Sequence, residues 1–137
     1  MNDNVKLYCG DCLELMKNIP NGSVDMVLCD LPYGSTACKW DSVIPLDKLW
    51  LQYKRVIKER GVIVLFGSEP FSSKLRLSNL EWYKCDWIWE KSQGANFVLC
   101  NKQPLKIHEI ISVFGKSITY NPQGLIKCNI RKRVCIS

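Results

Sequence analysis

The chain has 137 residues, a net charge of +6 and a hydrophobic fraction of 47%. That length suits one compact domain, and the composition excludes a disordered or collagen-like chain. No apolar run approaches the roughly 20 residues of a membrane span. The polar start Met1-Asn2-Asp3-Asn4 lacks the basic-then-apolar pattern of a signal peptide, so the expected compartment is the cytoplasm.

Val5 to Cys9 alternates and predicts a strand that Gly10 breaks. Asp11 is a good helix N-cap, Glu14 three residues on would complete a capping box, and the helix stops before the turn Pro20-Asn21-Gly22. Val24 to Cys29 is mostly apolar and predicts a buried, central strand of a parallel sheet, ending at Asp30. Gly34 to Pro45 is a loop of mixed chemistry, holding Thr36, Cys38, Lys39, Trp40 and Asp41; it serves either function or the packing of Trp40.

Leu46, Leu49, Trp50, Tyr53, Val56 and Ile57 recur at helical spacing, and Gly61 is the expected helix end. Val62 to Phe66 is a second apolar strand. Gly67-Ser68-Glu69-Pro70 turns into a helix with Pro70 near its first position. Tyr83 to Trp89 and His108 to Phe114 are strand-like, with a loop at Ser92 to Asn96. After Lys116 the pattern weakens. The alternation of strands and helices predicts an α/β domain with a mostly parallel sheet and helices on both faces. The expected division is a folded unit over residues 1–115 and a basic, irregular tail over 116–137.

From Lys116 onward the chain carries Lys116, Lys127, Arg131, Lys132 and Arg133 and no acidic residue. Such an end suits a polyanion such as DNA, or is a solvated tail. Of the 8 cysteines, only Cys9 and Cys12 form a C-x-x-C, and His108 is the single histidine. A structural zinc site wants four ligands at paired spacings, so no metal is expected and the cysteines are read as free thiols.

Asp30-Leu31-Pro32-Tyr33-Gly34 is the most informative stretch. A carboxylate, a rigid proline and an aromatic ring sit just past the carboxyl end of a strand, where open α/β sheets hold their ligands. A carboxylate acceptor beside a stacking ring suits a flat base with an exocyclic amine.

At these residues the chain resembles the amino-methylating DNA methyltransferases, whose catalytic motif reads Asp/Asn/Ser-Pro-Pro-Tyr/Phe/Trp. It differs at Leu31, a position the family uses mainly through its carbonyl. The opening Leu7-Tyr8-Cys9-Gly10-Asp11-Cys12, the stretch Ser35 to Asp41, the stretch Gly61 to Phe71, and the segments Trp87 to Lys91 and His108 to Phe114 also resemble that family. The resemblance is to the permuted order that begins with the catalytic half, of the phage and restriction-modification type.

The resemblance implies a Rossmann-like methyltransferase fold, S-adenosyl-L-methionine as cofactor and double-stranded DNA as partner. The implied catalytic residues are Asp30, Leu31, Pro32 and Tyr33: the Asp30 carboxylate and the Leu31 carbonyl accept the amine hydrogens, and Tyr33 stacks on a flipped base. An aspartate in first place is nearer the N6-adenine members than the N4-cytosine ones. Asp11 and Asp30 would contact the cofactor, although Asp11 also reads as a helix cap. Lys39, Lys91, Arg131, Lys132 and Arg133 are the candidate DNA contacts; an exposed lysine is the alternative for Lys91, and Glu69 reads as a turn residue, with a second polar group of the pocket as the alternative.

The family's Phe-x-Gly-x-Gly turn, which cradles the methionine part of the cofactor, is not found; Phe66-Gly67-Ser68-Glu69-Pro70 lacks its second glycine. The sheet is therefore expected to be incomplete. The chain reads as the amino-terminal part of a longer enzyme, with residues 1–115 as the catalytic half and 116–137 as the start of the target-recognition region, needing a complementing half with that turn. The alternatives are a non-catalytic remnant that binds nucleic acid, or a methyltransferase of cytosine N4 or of RNA.

Overall fold

A computed structural model describes residues 4–95 and 97–126. In chain order these form α1 (Cys12–Met16), β1 (Val24–Asp30), α2 (Leu46–Val56), β2 (Ile57–Gly67), α3 (Phe71–Leu77), β3 (Tyr83–Ala95), a single 3-10 turn (Phe97–Leu99) and β4 (Lys106–Phe114). Residues 115–126 carry no regular element.

The strands form one sheet in the order β1-β2-β4-β3. β1 pairs parallel with β2, with Asp30 opposite Phe66. β4 runs antiparallel to both its neighbours, with Gly67 opposite Ile110 on one side and Trp87 opposite Ile111 on the other. β1, β2 and β3 therefore point the same way, but only the β1–β2 pairing is parallel, and the expectation of a mostly parallel sheet is corrected to a mixed one. The cause is the link between β3 and β4, which contains no α-helix. A parallel neighbour needs a long crossover, whereas an antiparallel one accepts a short return.

The helices do not cover both faces as expected. Leu49, Trp50 and Tyr53 of α2 join Phe71 and Leu75 of α3, Ile63 and Leu65 of β2 and Phe114 of β4 in one buried cluster, and Leu13 and Met16 of α1 pack against it. The order of the parallel strands explains this. Passing from β1 to β2 to β3 moves across the sheet in one direction, and right-handed crossovers in one direction leave their helices on one face. β1 contributes Val24, Val27 and Cys29 to that core. On its other face Met26 and Leu28 are 47% and 61% exposed, so β1 is not the fully buried, central strand expected. Among the described residues it pairs on one side only.

Three local expectations are also corrected. Residues 5–9 form no strand, since no edge pairs with them, and Leu7 is exposed. Asp11 does cap α1, accepting from Leu13 N at 2.8 Å, but Glu14 bonds to Lys17 Nζ at 2.7 Å instead of completing a capping box. β3 continues through Ser92–Ala95, where a loop was expected.

α2 ends at Val56, where Ile57 turns extended and starts β2. The Arg55 guanidinium donates to the Met16 and Ile19 carbonyls, each at 2.7 Å, and ties α2 to the end of α1. Gly61 lies inside β2 rather than at the helix end. A Cβ there would stand 2.9 Å from the Asp25 carbonyl of β1. Gly115, just past β4, meets the same constraint: its Cβ would stand 2.9 Å from the Gly61 carbonyl. These backbones approach too closely for a side chain.

Phe114 is fully buried and packs against Trp50 at 4.9 Å and Tyr83 at 5.8 Å between ring centroids. Truncating so large a buried ring leaves a cavity as well as lost transfer energy. Phe114→Ala is expected to lower stability by about 3–5 kcal/mol. A shift of the urea midpoint with an unchanged slope checks this.

Candidate active site

β1 and β2 leave the sheet at the edge where β4 enters it, and the candidate residues gather there. Asp30 is the last residue of β1. Leu31 turns its side chain into the core, 5% exposed, so its identity answers to packing while its carbonyl remains available as a backbone group. Pro32 and Tyr33 are half-buried. The Tyr33 ring stacks on Phe71, with centroids 5.1 Å apart and planes 28° from parallel. The Tyr33 hydroxyl donates to Asp30 Oδ1 at 2.5 Å. Burial, then that hydrogen bond and the Asp30 charge, push the phenol well above its ordinary value. At neutral pH Tyr33 is a neutral donor, and Asp30 accepts from it at the rim of the sheet.

The loop after this motif is organised by one carboxylate. Asp41 accepts from Gly34 N and Ser35 N at 2.9 Å, from Thr36 N at 2.7 Å and from Thr36 Oγ at 2.8 Å. The Thr36 hydroxyl first, then the backbone donors, hold this carboxyl at about 2. Gly34 sits at φ +68°, a conformation that favours glycine, and lets the chain turn toward Asp41. The sequence marks Asp41 only as a member of a mixed loop; its three convergent backbone donors appear only on folding.

Two clefts meet at Tyr33, Ser35 and Thr36. The smaller, about 440 Å³, runs along Asp30 to Tyr33 and is closed by Trp40 and Asp41. The larger, about 780 Å³, is walled by Tyr33, Ser68, Glu69, Lys91, Lys106, His108 and Glu109.

The other candidates are dispersed. Asp11 caps α1, is exposed, and lines neither cleft. Lys39 is exposed beside Trp40 and also lines neither. Lys91 lines the larger cleft, bonded to Glu109 and lying 5.7 Å from the centre of the Trp89 ring. Arg131, Lys132 and Arg133 lie outside the described residues. Glu69 is both a helix-capping group and a cleft residue. It accepts from Ser73 Oγ at 2.6 Å and pairs with Arg76 at 2.7 Å, and these bonds, the Ser73 hydroxyl foremost, hold its carboxyl at about 2. Arg76 also reaches Asp86 at 3.2 Å, and Asp86 accepts from Ser112 at 2.6 Å, which locks α3 to β3 and β4. Sequence reasoning missed Phe71, Asp41 and Lys106. Among the described residues no three His, Cys, Asp or Glu side chains converge as a metal site, and no helix is long and apolar enough to cross a membrane.

The fold is the α/β fold of the S-adenosylmethionine-dependent methyltransferases. The crystal structure of an M1.HpyAVI–SAM complex superposes with a TM-score of 0.62 at 18% identity, covering 88% of this chain and 62% of that one. The cytosine-N4-specific PvuII DNA methyltransferase gives 0.58 at 15%, covering 80% and 48%. A putative DNA modification methylase from Thermus thermophilus, complexed with S-adenosyl-L-methionine, gives 0.55 at 18%, covering 84% and 57%.

In sequence, the chain is similar to two Type II methyltransferases. It is 32% identical over 111 residues to M.HinfI of Haemophilus influenzae, covering 61% of this chain and 30% of that protein. It is 28% identical over 102 residues to M.HpaI of Haemophilus parainfluenzae, covering 65% and 32%. The chain thus spans about a third of the length of these curated relatives. No family model matches it.

The Asp41 carboxyl lies below its ordinary 3.8, so the folded loop binds protons less readily than the unfolded chain. Its contribution to loop order is complete above about pH 4 and is lost as the pH falls toward about 2. The protection of the Gly34, Ser35 and Thr36 amides, measured against the intrinsic exchange rate at each pH, is expected to fall across that window. In Asp41→Asn it is expected to be low at neutral pH already, with no such pH step.

Proposed function

We propose that this chain supplies the amine-activating part of an S-adenosyl-L-methionine-dependent DNA methyltransferase that modifies N6 of adenine in a base flipped out of double-stranded DNA. The observation that carries the reading is the Asp30–Tyr33 pair: a carboxylate that already accepts from one donor, beside a ring held flat on Phe71, where two clefts meet. The relation to the Type II methyltransferases supports the class of reaction. The aspartate in first place of the motif supports adenine over cytosine.

An adenine amine is a poor nucleophile because its lone pair is delocalised into the ring. Asp30 accepts one amine hydrogen in place of the Tyr33 hydroxyl, and the Leu31 carbonyl accepts the other. Pro32 fixes its own φ and restricts Leu31, which sets the direction of that carbonyl. Two fixed acceptors favour a tetrahedral nitrogen and stabilise the positive charge that develops there. Tyr33 stacks on the base and keeps the amine over Asp30.

S-adenosyl-L-methionine would supply an electrophilic methyl group, with Asp11 and Asp30 as its proposed contacts. The polar and aromatic lining of the smaller cleft, from Asp30 to Asp41, suits the nucleoside part of such a molecule. The proposed phosphate contacts are Lys39, Lys91, Arg131, Lys132 and Arg133. A second segment bearing the Phe-x-Gly-x-Gly turn is the proposed complement, since the methionine part needs a close backbone approach.

The test is transfer of label from S-adenosyl-L-methionine to DNA by the chain together with such a segment, with the product nucleoside identified by mass spectrometry. N6-methyladenine is expected. N4-methylcytosine would replace the adenine assignment with the cytosine one, and no methylated nucleoside would overturn the enzyme reading in favour of a nucleic-acid-binding remnant. Asp30→Ala is expected to lower turnover about a hundredfold to a thousandfold; near-normal turnover would remove Asp30 from the reaction. Tyr33→Phe is expected to keep the stack and most of the DNA affinity. Tyr33→Ala loses the stack, about 1–3 kcal/mol of base binding, read as the difference in Kd between the two variants.

A further inference from the structure

β4 begins at Lys106, at the same sheet edge as Asp30. The Lys106 ammonium donates to the hydroxyl of Ser68, one residue past β2, and Lys106 lines the larger cleft, as Tyr33 does. Seven ion pairs join described residues, and none involves Lys106. The other charges in the cleft wall are matched: Lys91 pairs with Glu109, and Glu69 with Arg76. Among the described residues Lys106 therefore leaves one positive charge with no ion-pair partner, half-buried, in a cleft whose other charged wall residues are paired. A partly desolvated ammonium gains more from an anion than it would in open water. Ser68 holds it in direction without neutralising it.

We propose that Lys106 Nζ is an oxyanion-binding group of the larger cleft, and that the oxyanion is a phosphodiester of the DNA strand whose base stacks on Tyr33. The assignment rests on the DNA reading given above. The other source of the same chemistry is the carboxylate of the cofactor. The phosphodiester is favoured because a nucleotide brought to Tyr33 carries its own phosphate with it. The residues that present the amine-accepting groups, Asp30 and Leu31, line the smaller cleft and not this one. Ser68 is a positioning residue.

The experiment is binding of a short random-sequence duplex to the full chain between about 50 and 200 mM salt, compared for wild type, Lys106→Met, Lys106→Arg and Lys58→Met. Each phosphate contact contributes about 0.9 to the slope of log K against log salt. Lys106→Met is expected to reduce the slope by about one, and Lys106→Arg to restore it. Lys58→Met is expected to leave it unchanged, because Lys58 sits at the opposite end of β2 and pairs with Asp25. Ser68→Ala should weaken binding while keeping the slope. A wild-type slope in Lys106→Met would overturn the assignment while leaving the DNA reading standing. Failure of the wild type to bind the duplex at all would strike the DNA reading itself. In the complemented enzyme, Lys106→Met is expected to raise KM for DNA about tenfold, as for one lost charge-assisted hydrogen bond, with KM for S-adenosyl-L-methionine unchanged. The reverse pattern would move the oxyanion to the cofactor and overturn the phosphodiester.

Discussion

The crossover between the parallel strands β1 and β2 fixes where everything else in this molecule lies. The β1-α2-β2 unit puts α2 on one face and brings the carboxyl ends of β1 and β2 to one edge. The next crossover, through α3, moves the same way across the sheet and adds to the same face. Because all three helices gather there, the core is continuous from Leu13 to Phe114. The edge where β1 and β2 end is left to loops. Loops at that edge can carry Asp30, Asp41, Ser68 and Glu69 without disturbing the packing beneath.

The rim is held by polar contacts that leave few charges unmatched. Asp41 gathers four donors from the loop that follows the motif. Arg76 bridges Glu69 and Asp86, so the start of α3 is tied to the first part of β3. Phe71 belongs to α3 and is also the platform for Tyr33. The ring that would meet a base is thereby backed by a helix that is itself clamped to the sheet. Such support from beneath holds a reacting group in register better than a loop alone.

The motif was legible because its signals are local. An apolar run ending in Asp-Leu-Pro-Tyr needs no tertiary information to be read as a strand followed by a stiff turn, and Val24–Asp30 is the strand found. The helix at 46–56 was legible for the same reason, from spacing alone. What depended on partners was not. Residues 5–9 alternate as a strand does, but a strand exists only where an edge accepts it. Gly61 looked like a helix stop because glycine ends helices; its actual role is set by the Asp25 carbonyl, 36 positions earlier in the chain. The direction of β4 follows from the link that precedes it. Lys106 carried no signal, because a lysine at a strand start is ordinary until Ser68 and the paired ions around it are known. For Glu69 the sequence offered a turn residue or a polar group of the pocket, and the side chain is both: it caps α3 and walls the cleft.

The close approach of Asp25, Gly61 and Gly115 lies at the end of the sheet far from the site. There a Cβ at Gly61 would meet the Ile57 side chain at 2.7 Å as well as the Asp25 carbonyl, and one at Gly115 the Ile118 side chain as well as the Gly61 carbonyl. A methyl group inserted at either glycine would act as a wedge under a long beam. From Gly61 to the end of β2 at Gly67 the strand extends about 3.3 Å per residue, so a small splay at the wedge grows into a larger one at the tip. The tip is where Asp30 stands opposite Phe66 and where Ser68 begins. Misplacement of a reacting group by about 1 Å can lower a rate a hundredfold. The two glycines thus act as the fulcrum of the site. A substitution at either glycine would be felt at the candidate site without touching any of its residues.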